Sequence, residues 1–228
     1  LIGILINSVN SIILPNISAL DKDRMSDIYS ASVRKNAIII FPLAVVFFIF
    51  AEEFITLVYG PLYRDSALYF KIYLLLLPLR VATYGIIFQA CGKTRLLMWD
   101  AIIMLGLNSI MNYILIRAWG MQGAAWATIL VSWLILFVYL WQIKYPLKMQ
   151  LSRLFPWWRL GKNLVAALFP LSWVIPLSRI IPNDIIRLFG GGLLYSVSYL
   201  IIALVMKVVL PIDLDFAKSL LKSKLRKS

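Results

Sequence analysis

Long apolar runs constrain this chain more than any other feature, because most of them reach the length of a membrane span. A helix of about 20 apolar residues crosses the hydrocarbon core of a bilayer. Hydrophobic residues make up 62% of the 228 residues, whereas soluble domains are about 45–50% apolar. The sequence therefore predicts an all-α polytopic membrane protein with about seven transmembrane helices, at residues 1–20, 36–58, 67–90, 96–117, 121–143, 163–182 and 188–210.

The first predicted span is short and ends at Pro15, where a helix cannot continue unbroken. The chain begins with Leu1 and shows no cleavable leader pattern. We therefore expect a truncated first helix and a chain that is the C-terminal part of a longer protein. Residues 18–36 are predicted to form an amphipathic link. The basic, aromatic stretch 144–162 is predicted to form an interfacial helix with Trp157 and Trp158 at the headgroups.

Lysine and arginine are distributed unequally between alternate loops. One set, with residues 21–35, 91–95, 144–162 and the C-terminal tail, holds 17 of the 23 basic residues, and the opposite set holds four. Because cytoplasmic loops are enriched in basic residues, the first set is predicted to be cytoplasmic. The net charge of +13 then reflects orientation and attraction to anionic membrane lipids rather than nucleic acid, so no nucleic-acid partner is expected.

Enzyme chemistry has few candidate residues in this sequence. The chain contains no histidine and one cysteine, Cys91, which is predicted to be inert at a turn. Disulfide frameworks, the usual zinc ligands and most general-base chemistry near neutral pH are therefore not expected. We predict neither an enzyme nor a bound metal or cofactor.

Arg80 is the most unusual residue, because it falls near the middle of the 67–90 span. An intramembrane arginine costs at least about 2.5–3.5 kcal/mol and usually faces a cavity or a partner. Pro78 permits a kink nearby and is the candidate hinge. Helical spacing from Arg80 reaches a set of ring-bearing and polar residues: Tyr69, Tyr73, Thr83, Tyr84 and Phe88.

Two interpretations of this stripe remain open. In the first, Arg80, Tyr73 and Tyr84 bind an anionic, sugar-bearing ligand, with the guanidinium on phosphate and the rings on sugar. In the second, Arg80 pairs with a carboxylate elsewhere and the tyrosines pack as core. Lys71, roughly on the opposite face, is predicted to anchor the outer end of the span by snorkelling.

Asn108 and Asn112 lie four residues apart in the 96–117 span and should share a helix face. They either hydrogen-bond neighbouring helices or line a polar cavity. A turn at Gly120 and a small-residue face follow, comprising Gly120, Gly123, Ala124, Ala127, Thr128 and Ser132. This pattern predicts a helical hairpin in which the returning helix packs closely.

Three carboxylates lie at or near the ends of spans. Glu52 and Glu53 are predicted to be solvated at the outer end of theirs. Asp100 lies about one turn inside the cytoplasmic interface, where Arg95 or Lys93 is predicted to neutralise it, with proton coupling as the alternative.

Three segments in order resemble the C-terminal half of polysaccharide flippases. These are LPNISALDKD, leading into the amphipathic link, FPLAVVFFIFAEEFITLVYG, and the asparagine-bearing stretch LNSIMNYILIRAWGMQGAAWAT after QACGKTR. The O-antigen and related repeat-unit exporters with this pattern belong to the multidrug/oligosaccharidyl-lipid/polysaccharide (MOP) superfamily. The resemblance covers residues 8–145, and the remainder is similar only in having two further spans.

The resemblance implies a fourteen-helix transporter of which this chain carries the second half. Residues 1–145 would be the C-terminal lobe, 146–162 a cytoplasmic linker, 163–210 two additional helices and 211–228 a basic cytoplasmic tail. The function implied is translocation of undecaprenyl-diphosphate-linked oligosaccharide across the cytoplasmic membrane by alternating access. The expected partners are that substrate, membrane lipids, the N-terminal lobe of the same transporter and polysaccharide polymerase machinery.

Other functions fit fewer of the residues. A MATE-type drug or cation antiporter is the first alternative, although it would favour an acidic cavity. A membrane-embedded glycosyl- or acyltransferase would need a catalytic carboxylate or histidine near the interface, where only Asp100 could serve. A scaffold subunit would leave Arg80 unexplained.

Overall fold

The computed structural model describes residues 21–208, and all regular structure within that range is helical. The predicted truncated first helix, its end at Pro15, the last residues of the final span and the basic tail lie outside the described residues. The prediction of an all-α membrane protein is confirmed by the helices that follow.

The described residues form ten α-helices and two 3₁₀ segments. The 3₁₀ segments are Pro61–Ser66 and Leu77–Val81. The α-helices are α1 (Lys22–Ile49), α2 (Ala51–Tyr59), α3 (Ala67–Leu74), α4 (Tyr84–Ala90), α5 (Thr94–Trp119), α6 (Met121–Lys144), α7 (Leu151–Leu154), α8 (Trp157–Leu168), α9 (Leu171–Arg179) and α10 (Asp184–Val205).

Five helical stretches within the described residues are long and apolar enough to cross a membrane: α1, α5, α6, the α8–α9 unit and α10. A sixth is the bent pair Pro61–Leu74 and Leu77–Ala90, whose two halves meet at 46°. With the bent pair counted as one span, the six spans match the six predicted between residues 36 and 210.

Two predicted boundaries differ from the structure. The described part of the amphipathic link is continuous with the next span, because α1 begins at Lys22 and ends only at Ile49. Its apolar face is buried at Met25, Tyr29 and Val33, so packing favours one uninterrupted helix. The stretch 144–162 does not form one interfacial helix, since it contains the four-residue α7 and the first turns of α8.

Two apolar clusters hold the helices together. The first lies between the N-terminal half of α1, helix α4 and the α6–α7 region, with Val33, Ile87, Phe88, Ile143 and Leu154 almost fully buried. The second joins the α1–α2 junction to the last three helices, and its most buried members are Phe50, Ala166, Ala167, Val174, Tyr195 and Ala203. Helices α8 and α10 therefore pack directly on α1, and α9 packs on α10.

Helices α5 and α6 form the predicted hairpin. Gly120 supplies the turn with a φ of +60°, which other residues rarely adopt. At Gly123 the helices approach so closely that a Cβ atom would overlap the backbone carbonyl of Leu115. The rest of α5 is open, with Asp100 as its one fully buried residue.

Charged loops gather at two ends of the helices. At the basic end (residues 21–24, 91–95 and 144–153), Lys22 Nζ donates to the carbonyl of Leu147 at 3.1 Å, and Arg153 pairs with Asp23. The opposite end contains residues 52–53, 60–66 and 181–187. These groups match the two alternating sets of loops that the lysine and arginine distribution predicts, while their assignment to cytoplasm and exterior stays a prediction.

At the opposite end, two ion-pair groups connect separate helices. Arg187 Nη1 lies 3.2 Å from Glu53 Oε1 and joins α10 to α2. Glu52 contacts Lys71 at 3.0 Å and Arg64 at 3.6 Å. Lys71 is thus fixed by a carboxylate as well as lying near the end of its span.

Candidate functional site

Arg80 lies in a break in the middle of a membrane-length segment. Helix α3 ends at Leu74, the chain continues as a 3₁₀ segment through Val81, and Ala82 is extended with φ −113° and ψ 133°. Pro78 lies within this segment, and proline removes a backbone donor and clashes with the preceding helical turn. The break is therefore where the sequence places its proline, and the role of Pro78 as a hinge stays a prediction.

Asn36 holds the break from the neighbouring helix. Its Nδ2 donates to the carbonyl of Val81 at 3.1 Å, and the exposed fraction of Asn36 is 7%. A backbone carbonyl released from a helix inside a membrane costs several kcal/mol unless another donor reaches it. Asn36 was not among the predicted site residues, although a carboxamide at the start of an apolar run is a signal that could have identified it.

The Arg80 side chain is exposed and forms no hydrogen bond or ion pair with any residue of the described range 21–208. Arg187, by contrast, contacts Glu53, Asp184 and the carbonyl of Ile181. The interpretation that pairs Arg80 with a carboxylate thus finds no partner in this part of the chain. An exposed guanidinium on a broken span can bind an anion that enters a cavity.

The aromatic stripe around Arg80 does not form as predicted, because helical spacing does not continue across the break. Tyr73 is exposed near the end of α3, whereas Tyr84 is half-buried at the start of α4. The Tyr84 ring stacks on Tyr139 with centroids 5.6 Å apart and lies 5.9 Å from Phe155. These contacts favour a packing role for Tyr84, and contact between either tyrosine and a ligand stays a prediction.

Asn108 and Asn112 bond to each other on α5. Asn112 Nδ2 donates to Asn108 Oδ1 at 2.6 Å, and both side chains are half-buried. The four-residue spacing thus places them on one helix face. The pair satisfies part of its own hydrogen-bonding capacity within the helix, and the choice between inter-helix contact and cavity lining stays open.

Two predicted carboxylate environments are wrong. Glu53 is not solvated, because its side chain is 11% exposed and paired with Arg187. Asp100 is not neutralised by Arg95 or Lys93, since among the described residues its polar contact is a hydrogen bond from Gln142 Nε2 at 2.7 Å. Both partners are distant in sequence, so local charge patterning could not identify them.

The described residues offer few other candidate sites. No group of Asp, Glu or Cys side chains between residues 21 and 208 is arranged to hold a metal ion. An open groove of about 490 Å³ lies at the basic end. It is lined by Lys144, Lys148, Met149, Gln150, Leu151 and Ser152.

The N-terminal part of the chain is similar to a known protein family. Residues 1–68 match a family model described as a polysaccharide biosynthesis protein. Within the described residues, this match covers α1, α2, the 3₁₀ segment Pro61–Ser66 and the first two residues of α3. No curated protein sequence matches the chain significantly. The similarity of residues 1–68, together with the apolar helices, supports a multi-pass membrane protein with a role in polysaccharide biosynthesis.

Proposed function

We propose that this chain is part of a flippase that moves undecaprenyl-diphosphate-linked oligosaccharide across the cytoplasmic membrane by alternating access. The similarity of residues 1–68 to polysaccharide biosynthesis proteins supports the pathway. The observation that carries the mechanism is Arg80, an exposed cation on a broken span with no partner within residues 21–208. The proposal involves no enzyme chemistry and no cofactor.

The chemistry of the proposed substrate suits this position. A diphosphate presents several anionic oxygens, and a guanidinium can bond two of them at once in a fixed geometry. Broken helices near the middle of a membrane are a recurring way to build transporter sites, because the irregular backbone lines a cavity instead of facing lipid. Arg80 and the break around Pro78 combine both features.

In this proposal the chain provides one wall of the cavity. Residues 1–145 form a lobe, and an opposing lobe of the same transporter supplies the other wall and further contacts to the substrate. Membrane lipids surround the outer helices, and polysaccharide polymerase machinery receives the translocated repeat units. The basic end and the C-terminal tail face the cytoplasm.

The test is Arg80→Ala in the full-length transporter. Loss of a charged hydrogen-bond partner costs about 1.5–3 kcal/mol, so substrate affinity should fall about 10- to 150-fold. Surface polysaccharide, measured by immunoblot, should fall and lipid-linked repeat units should accumulate inside. Arg80→Lys keeps the charge without the two-bond geometry and should retain intermediate export.

Arg64→Ala is the matched control. Arg64 is also an exposed arginine, with a 57% exposed side chain, but it lies at the opposite end beside Glu52. The Arg64→Ala substitution should leave polysaccharide export unchanged. An epitope tag should show equal membrane levels for all variants. Normal export by Arg80→Ala at normal membrane levels would overturn the assignment of Arg80 to the substrate cavity.

A further inference from the structure

A buried polar contact joins α5 to α6 near the basic end. Asp100 lies six residues after the start of α5, and Gln142 lies two residues before the end of α6. Gln142 Nε2 donates to Asp100 Oδ1 at 2.7 Å. The exposed fractions of Asp100 and Gln142 are 1% and 7%, so solvent does not complete their hydrogen bonding.

Each side chain has one further buried oxygen without a partner. Asp100 Oδ2 and Gln142 Oε1 both lack a hydrogen bond within the described part of the chain, residues 21–208. If Asp100 is ionised, both oxygens are acceptors, and neither can satisfy the other. Buried polar atoms are normally hydrogen-bonded, and an ionised carboxylate inside an apolar region is strongly disfavoured.

A single proton gives both of these oxygens a hydrogen-bond partner. On Asp100 Oδ2 it turns that oxygen into a donor, for which the amide oxygen of Gln142 is the unused acceptor. We propose that Asp100 binds a proton at neutral pH and forms a neutral acid–amide pair with Gln142, in which two reciprocal hydrogen bonds connect α5 to α6.

Among residues 21–208, the groups that face this pair do not offer a cation in place of the proton. On α6, Tyr139 is close enough to interact electrostatically with Asp100, and Lys144 forms a cation–π contact with Tyr145. Helix α4, which packs against the same part of α5, contains no charged residue. At the start of α5, Lys93 and Arg95 form no ion pair with Asp100.

The acid–amide pair therefore makes the α5–α6 contact dependent on pH. At neutral pH the folded protein binds a proton that an exposed aspartate would have released. Raising the pH removes that proton, which leaves a buried charge and abolishes one of the two hydrogen bonds. The contact should thus be strongest below about pH 4, where an exposed aspartate is protonated as well, and should weaken progressively as the pH rises until Asp100 itself ionises.

Infrared spectroscopy of the full chain in lipid nanodiscs tests this proposal directly. The carbonyl stretch of a protonated carboxylic acid is separate from the bands of a carboxylate. Wild type should show this acid band at neutral pH, and Asp100→Asn should lose it. The variant should still fold, because an Asn–Gln pair also forms two reciprocal bonds. Identical wild-type and Asp100→Asn spectra in this region would overturn the proposal.

Two further measurements keep the test decisive. The double substitution Asp100→Asn with Gln142→Glu moves the acid to α6 and should restore the acid band. Wild-type protein with carbon-13 aspartate should show an isotope-shifted acid band at neutral pH without any substitution. If the labelled aspartates give carboxylate bands only, Asp100 is ionised and the proposal is wrong.

Discussion

At the residue scale, packing requires glycine at one position of the run Gly190–Gly192, and that position is Gly191. A Cβ atom at Gly191 would overlap the ring of Phe50. The ring is 1% exposed and sits at the junction of α1 and α2, so neighbouring side chains leave it little room to move. Gly190 and Gly192 have no atom within 4 Å of such a Cβ. Only the middle glycine is therefore required for packing of α10.

We expect Gly191→Ala to destabilise the protein by about 1–3 kcal/mol, the usual cost of overpacking a buried contact. Gly190→Ala and Gly192→Ala are matched controls on the same helix and should be neutral or slightly stabilising, because alanine favours a helix over glycine. Thermal unfolding in detergent measures all three. Equal losses in the three variants would show that helix propensity, and not the Phe50 contact, determines the effect.

The contacts of a single side chain were predictable where they are made to residues close by in sequence. Asn108 and Asn112 are four apart, and that spacing alone predicts their shared face. Long-range partners were not predictable, because helical periodicity carries no information about which helices meet. Arg187 lies 134 residues from Glu53, and Val81 lies 45 residues from Asn36. Both predicted carboxylate environments failed for this reason.

At the element scale, span positions follow from hydrophobicity, whereas internal breaks do not. The 67–90 span was predicted in the correct place, and Pro78 indicated a kink within it. Proline alone does not predict a 3₁₀ segment followed by the extended Ala82, because the released backbone groups depend on tertiary donors such as Asn36. The α5–α6 hairpin was predictable because its turn and its close contact both depend on local glycines.

Gly123→Ala tests that hairpin. The added methyl group would overlap the backbone of Leu115, which cannot rotate away as a side chain could. We therefore expect the helices to separate locally and the unfolding free energy to fall by about 1–3 kcal/mol. Gly106→Ala on the open part of α5 is the control, since no atom lies within 4 Å of its added Cβ. A Gly123→Ala protein as stable as the Gly106→Ala protein would contradict the close approach.

At the scale of the whole molecule, the contacts between loops and the distribution of basic residues assign these loops to the same two ends. Lys22 bonds the carbonyl of Leu147 at the basic end, and Glu53 pairs with Arg187 at the other. Each contact joins segments that are far apart in sequence but belong to the same predicted side of the membrane. For these segments the grouping of loops agrees with the lysine and arginine distribution, which depends on loop composition and not on which helices touch. Arg34 and Lys35, counted in the predicted loop 21–35, lie instead within α1.

The orientation of the two ends can be measured with single cysteines. Cys91→Ser removes the native thiol, whose pKa is raised by burial and which would react slowly. In that background, Leu62→Cys places a thiol at the opposite end, where Leu62 is 96% exposed, and Ser152→Cys places one at the basic end. Both positions are exposed and lie in short helical segments, so neither substitution disturbs a buried contact.

If basic loops face the cytoplasm, a membrane-impermeant maleimide should label Leu62→Cys in intact spheroplasts and Ser152→Cys only after permeabilisation. The reverse pattern would invert the orientation. It would place the groove beside Lys144 and the Asp100–Gln142 pair on the outer side, so the proton of Asp100 would exchange with the exterior. The labelling result therefore decides which compartment's pH controls the α5–α6 contact.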